Sequence, residues 1–527
     1  MKIFTRLLCI LLVLSFIATA FIGCGKKKGD ETADEQGEGG AAGDVATEKP
    51  TNEYGEESFT SNLPKGDLDF DGAEVAILFR DFIHNSREWK KETTEDELDE
   101  AIAMRNEAVQ EELNVKIVWQ PVASNGNDYS DYTARFHDMV QTDVNSGRHY
   151  YDISANFGYP TTSNNIRDYT TNLLDTSIFP YFNFELPCWN QAIVNNTTFN
   201  GRLHYVAGDI NLSMFDAACV VWHNKTLYDA NKEANDPENL QQLALDGNWT
   251  YDELYRWVQV FYVDNGTTPD ARDGSDTYAL LAATGTGAPM PRDVFPYAWD
   301  LQFVVEENDG THSFNIVGND KFDTALKKAR NLLRAPGTYN SCSAVQFAAG
   351  KSLFLMERLY AGYDYNMAIR EMEDKYGLLP VPKYDSAQEQ YATTAQDYYT
   401  LMFVLDHSDS KIATKGDEVS AFLQLATEES YTGVRGYYFN RIIKPKFFGT
   451  DDSEGTVTRS IALFDIIVAN IRFDYCYIYS QQLNDINHLW RRALEEGQTD
   501  TLEKMYLADK SDFEAAIKSA DAIFGLV

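Results

Sequence analysis

The sequence predicts an α/β protein built as two doubly wound lobes joined by crossing segments, and three observations carry that prediction. Ala73–Phe79 (AEVAILF) and Val115–Trp119 (VKIVW) are apolar runs separated by a helical pattern, the order of a parallel β-α-β unit with a right-handed crossover. Ala217–Trp222 (AACVVW) is a nearly continuous apolar run, as a strand covered on both faces requires. A chain of 527 residues also exceeds what one hydrophobic core covers.

Composition narrows the function classes. The chain is 44% hydrophobic and 13% aromatic, with 31 Tyr and 8 Trp, enough rings to fill cores and still line a contact surface. A net charge of −36 argues against nucleic-acid binding, which needs clustered Lys and Arg to neutralise phosphates. Of six cysteines, Cys9 and Cys24 lie in the leader; Cys188, Cys219, Cys342 and Cys476 are widely spaced, without the C-x-x-C pattern of a metal site, and their pairing is open.

Taken in order, Lys2 and Arg6 precede the apolar run Leu7–Ile22, the charged and hydrophobic regions of a secretory signal, too short for a membrane span of about 20 residues. Phe21-Ile22-Gly23-Cys24 then resembles the lipobox of bacterial lipoproteins, which implies lipidation of Cys24 and a membrane anchor. Gly25–Lys65 is rich in Gly, Glu, Asp, Ala, Thr and Lys and reads as a disordered acidic tether, with a reach of about 35 Å as a flexible coil. Asp67–Gly72 begins like a calcium loop, but Leu78 stands at the twelfth position where a bidentate Glu is needed.

Thr94-x-x-Glu97 is a capping box for a helix carrying Leu98, Ile102, Val109 and Leu113. Tyr132–Val144 reads as a helix and Tyr150–Phe157 as a third strand, followed by Gly158, Tyr159 and Pro160. Asn200-Gly201 is a hairpin dipeptide that tolerates positive φ. Thr250 and Glu253 form a second capping box, Pro269–Asp293 reads as a loop whose Gly285-Thr286-Gly287 lacks the full phosphate-loop pattern, and Asp320–Leu333 is a helix. Glu418–Thr427, Thr456–Asn470 and Phe513–Ile523 are further helical stretches.

Several short segments share one resemblance. Gly201-Arg202-Leu203-His204-Tyr205 with Trp222-His223-Asn224-Lys225-Thr226-Leu227, the helix motif Ala101–Asn106, Gly247–Leu254, Phe347–Phe354 and the Pro-rich turn in Tyr376–Gln390 resemble segments of the extracellular solute-binding proteins of ABC importers, carbohydrate type. His204 and His223 depart from the usual residues. The resemblance implies a periplasmic-binding-protein-like fold of type II: residues 66–205 as the first part of lobe 1, 206–395 as lobe 2, 396–450 as the return to lobe 1, and 451–527 as a helical segment packing mainly on lobe 2. It implies a carbohydrate, an oligosaccharide, held between the lobes and delivered to an ABC permease at the extracytoplasmic face of the membrane, by a monomer without cofactor or metal.

Ligand sites in open α/β sheets lie beyond the carboxyl ends of strands, and sugars suit carboxylates, amides, Arg and rings. By that rule Arg80 and Asp81 follow the first strand, Asn156 and Tyr159 the third, and Asp216 precedes the buried strand. Trp299 and Tyr360 stand where related sugar binders supply stacking rings, and Tyr398 lies at the return crossing. No G-x-S-x-G, H-E-x-x-H or Walker loop occurs, so no reaction is named. The competing expectations are a surface glycoside hydrolase using two carboxylates, a binding protein for a peptide or polyamine, and a lipoprotein that only contacts other proteins.

Overall fold

The computed structural model describes residues 58–89, 97–125, 128–266, 272–283, 290–341, 343–362, 368–408, 415–448 and 452–527. The signal sequence, Cys24, most of the tether, Thr94, Gly285–Gly287 and Cys342 lie outside them.

The first sheet contains β1 (Ala73–Asp81), β2 (Val115–Ala123), β3 (Ile153–Phe157) and, returning late in the chain, an eighth strand at Thr400–Val404. Its order is Thr400–Val404, β3, β1, β2; β1 pairs in parallel with both neighbours, Ala73 opposite Val115, and only the late strand is antiparallel. Helix α1 (Glu97–Leu113) makes the β1–β2 crossover and buries Leu98, Ile102, Val109 and Leu113, the residues its periodicity selects. Helix α2 (Tyr129–Ser146) stops at Gly147, whose φ of 62° only glycine adopts without strain. It begins three residues earlier than the apolar pattern suggests, and β3 is shorter than Tyr150–Phe157 because Tyr150 and Tyr151 instead donate their amides to Asp143.

The second sheet is built on β4 (Cys219–Asn224), β5 (Thr277–Ala282), β6 (Ser352–Arg358) and β7 (Tyr376–Leu379) in the order β7-β4-β6-β5, with two-residue strands at Tyr262–Val263 and Thr338–Tyr339 pairing to β5. Strands β5 and β6 are parallel while β4 runs against both of its neighbours. We designate Thr400–Val404 β8. All six residues of β4 are buried, as its apolar run requires.

Two antiparallel segments join the sheets, bridged at Val206–Met402 and Ala218–Ala395. A third connection is one continuous helical run from Gly416 to Phe448 that widens to π-helical geometry at Ser430–Arg435 and Tyr438–Ile443. The C-terminal segment touches both lobes. Ile478 accepts a hydrogen bond from Thr162 of lobe 1 at 2.6 Å, whereas Arg491 chelates Asp293 of helix α3 (Met290–Ala298) on lobe 2. Asn200 and Gly201 take φ of 48° and 69° in the expected tight turn, and that turn holds the C-terminus: the Asn200 amide donates to Phe524 O and Arg202 to Ile523 O.

The structure refines three sequence readings. Pro269–Asp293, read as a loop, contains the largely buried strand β5 and the start of the helix Met290–Ala298. Thr250 stands at a helix N-cap, but its side chain makes no capping bond, and the Glu253 carboxylate accepts from Arg256 and Trp257. The Asp67–Gly72 stretch is a turn: Asp69 Oδ1 accepts from Asp71 N and Asn114 Nδ2, satisfying the carboxylate within the protein. Cys188, Cys219 and Cys476 are buried and free.

Candidate functional site

The carboxyl ends of β1, β3 and β6 converge on the same seam between the lobes, and the crossing Gln396-Asp397-Tyr398 forms its floor. From lobe 1, Arg80 at the end of β1 is buried among rings, with its guanidinium 4.7 Å from the Phe82 centroid, 4.9 Å from Phe157 and 5.1 Å from Tyr132. It also donates to Ser124 Oγ and Asn85 Oδ1. Tyr159, just past β3, donates its hydroxyl to Asp485 Oδ1 at 2.7 Å, and its ring lies 6.1 Å from that of Tyr129.

From lobe 2, Arg358 ends β6 and is held on three sides. It donates to Glu357 Oε1 and Gln396 Oε1 at 2.5 Å each and to the Tyr360 hydroxyl at 2.9 Å. The guanidinium lies 4.6 Å from the Tyr360 ring and 5.6 Å from Tyr398; the two rings meet edge to face, 6.3 Å apart. Although burial opposes its charge, Glu357 beside it holds the guanidinium well above its ordinary range.

The third wall comes from the C-terminal segment. Arg491 grips Asp293 with two bonds and stands 3.8 Å from Asp397. Burial pushes the Asp397 carboxyl up to about 6; Arg491 opposes the shift, while Asp293 and Asp485 add to it. Asn484 and Asp485 both adopt left-handed φ, 55° and 53°, and such consecutive non-glycine strain is commonest where a site needs it.

The sequence-selected residues therefore separate. Arg80, Tyr159, Tyr360 and Tyr398 come together at the seam. Asp216 lies just behind it, hydrogen-bonded to the Tyr438 hydroxyl from the first turn of the second π-helical stretch. Asp81 is half-buried and follows Arg80, so strand alternation turns it to the opposite face. Asn156 is fully buried, donating to Leu78 O and accepting from Tyr132; it orients the ring beneath Arg80 instead of reaching solvent. Trp299 is also fully buried, its Nε1 donating to Pro382 O and its ring edge-on to Tyr251, and it belongs to the lobe 2 core. Sequence reasoning missed Arg358, Gln396, Asp397, Tyr129, Asp485 and Arg491. Arg358, Gln396 and Asp397 sit within two residues of rings it did select, whereas nothing local marks Arg491.

A hollow of about 560 Å³ lies among Trp189, Phe215, Arg435 and Phe439. Its charges are already matched, Arg435 to Asp209 at 3.0 Å and Lys444 to Asp465 at 2.9 Å. Among the described residues no group of His, Cys, Asp and Glu is placed to hold a metal ion.

Two α/β lobes joined by antiparallel crossings give this chain a periplasmic-binding-protein-like fold of type II. Among solved structures it is similar to the sugar-binding protein MalE from Xanthomonas citri, with 11% identity, a TM-score of 0.54, and coverage of 86% of this chain and 99% of that one. It is also similar to the galacto-N-biose/lacto-N-biose I-binding protein of an ABC transporter from Bifidobacterium longum, at 11% identity, TM-score 0.51, and coverage of 86% and 98%. A third is the cyclic alpha-maltosyl-1,6-maltose binding protein from Arthrobacter globiformis, at 15% identity, TM-score 0.52, and coverage of 85% and 100%. No protein-family model matches the chain, and no match was found among curated proteins.

Proposed function

We propose that this chain is an extracytoplasmic solute-binding lipoprotein that captures a carbohydrate, an oligosaccharide, in the interlobe seam and delivers it to an ABC permease. The observation that carries this reading is the seam itself: Tyr129, Tyr159, Tyr360 and Tyr398 bring rings to a place where Arg358, Gln396, Asp397 and Asp485 bring polar groups. Rings suit the apolar faces of pyranoses, and carboxylates, amides and guanidinium groups suit their hydroxyls. The similar structures point the same way: one is called a sugar-binding protein and another was solved with lacto-N-biose.

In this reading the paired crossings flex as a hinge, the solute draws both walls onto itself, and the closed form is what the permease recognises. Lipidated Cys24 holds the monomer at the membrane, and the step is binding without bond cleavage. Thermal unfolding of the mature chain against a broad glycan panel tests it. A ligand at 100 times its Kd adds about 2.7 kcal/mol, seen as a raised melting temperature. No shift with any glycan overturns the proposal, and a shift only with peptides redirects it to another solute. Shorter sugars released in a manner abolished by amide substitution of two carboxylates would mark a glycoside hydrolase instead.

A further inference from the structure

The arginines and the carboxylates of the seam are not equally committed. Arg80 is enclosed by three rings, Arg358 by Glu357, Gln396 and Tyr360, and Arg491 by Asp293, so no guanidinium is left for an anionic solute. Asp397 is different: among the described residues its nearest cation, Arg491, stands 3.8 Å away, beyond hydrogen-bonding distance, and no side chain bonds to its carboxylate. Among the described side chains the Asp485 carboxylate accepts only from the Tyr159 hydroxyl, with His488 Nδ1 3.8 Å off. Burial, followed by Arg491, keeps the His488 imidazole below its ordinary range, so it adds no lasting positive charge. Around this end of the seam, Asp293, Asp397 and Asp485 gather about Arg491, and Arg292 also acts on Asp293.

An independent feature lies beneath them. Tyr477 is 3% exposed and its hydroxyl has no hydrogen-bond partner. Burial raises its ionisation well above the usual range; Asp397 and Asp293 add to the shift and Arg491 opposes it, which puts the hydroxyl within reach of the field of these charges. A buried hydroxyl without a partner is costly, and a polar group of a bound solute would relieve that cost. The opening is edged by Tyr129, 39% exposed, and Tyr159, whose faces attract cations.

We infer that the solute is an amine-bearing saccharide, its ammonium group held by Asp397 and Asp485 beside the Tyr129 and Tyr159 rings. The inference rests on the carbohydrate reading of the seam. A neutral hydroxyl would leave two carboxylates desolvated on closure without a counter-charge, whereas an ammonium offers three donors and the charge.

Isothermal titration of the mature chain with four probes tests it: the β-1,4-linked glucosamine disaccharide, its N,N′-diacetyl form, cellobiose and spermidine. The expected result is that the free-amine disaccharide binds at least about tenfold tighter than the other three, since charge-assisted hydrogen bonds are roughly twice as strong as neutral ones. Asp397→Asn and Asp485→Asn should each reduce that ratio towards one, the free-amine affinity falling further than that for cellobiose, a selective change that misfolding would not produce. Equal or weaker binding of the free amine overturns the inference and leaves the carbohydrate reading standing. Tight binding of spermidine alone, or of none of the four, overturns it as well, and in the first case the carbohydrate reading also falls.

Discussion

The two crossings that lie side by side between the lobes have opposite characters. From Leu203 to Asn224 every residue is buried, and the polar ones are mostly bonded inward, His204 to Thr170 and Asn211 to Gly208, for example. Across the Ala218–Ala395 bridge, the neighbouring crossing leaves Gln396 and Asp397 half-buried at the seam. In the proposed reading one crossing is scaffold and its partner is the floor of the candidate site. Position between lobes therefore does not confer function; what does is which face of a crossing is left uncovered.

That contrast can be broken most forcefully at Arg358. Arg358→Ala leaves Glu357, which is 4% exposed, without its guanidinium, and breaking such a buried pair costs about 3–5 kcal/mol. Urea denaturation should show that loss together with loss of glycan binding; Arg358→Lys, a point charge without the three-way fork, should recover only part of either.

The next effect separates scaffold from floor. Burial holds the Asp397 carboxyl near 6, above its ordinary 3.8, so its stabilising contribution is present in full at low pH and is lost as pH rises through about 6. Asp397→Asn should therefore stabilise the unliganded chain at pH 7 by on the order of 2 kcal/mol while weakening solute binding. In the wild-type chain, affinity for an amine-bearing sugar should fall as pH drops through about 6, read by titration from pH 7.5 to 5.

On the scaffold side, His223 is buried in β4 with neither ring nitrogen bonded, and burial depresses it to about 3. The stability tied to a neutral His223 is present above 6.5 and drains as pH falls below it, about 2 kcal/mol by pH 5. His223→Phe should reduce the acid sensitivity of unfolding by about that amount with glycan affinity at pH 7 unchanged. The smallest effect is expected at the rim: Tyr159→Phe removes one hydrogen bond to a partly exposed carboxylate, about 1 kcal/mol in binding or stability.

The sequence was most informative where structure is local. The β1–α1–β2 unit follows from apolar periodicity, β4 from an uninterrupted apolar run, and the Asn200-Gly201 turn from two residues that tolerate positive φ. The carboxyl-end rule found the right edge of each sheet but not the direction of a side chain: Arg80 reaches the seam, whereas Asn156, at the end of β3, bonds inward to Leu78. Aromatic type could not separate Tyr360 from Trp299, because a ring in a core and a ring in a cleft obey the same composition. Asp485 and Arg491 were illegible because their partners, Tyr159 and Asp293, lie 326 and 198 residues away. The π-helical widening at Tyr438 likewise answers to packing against Asp216, which no local pattern encodes.

The central claim, that solute binds on the floor of the seam and not on its neighbouring crossing, is tested most directly by amide hydrogen exchange with and without a bound glycan. The account predicts new protection at Arg358–Tyr360, Gln396–Tyr399 and the Asn484–His488 turn, with β4 at Cys219–Asn224 unchanged. Protection confined instead to the hollow around Trp189, Phe439 and Phe473, with the seam exchanging as before, would contradict it.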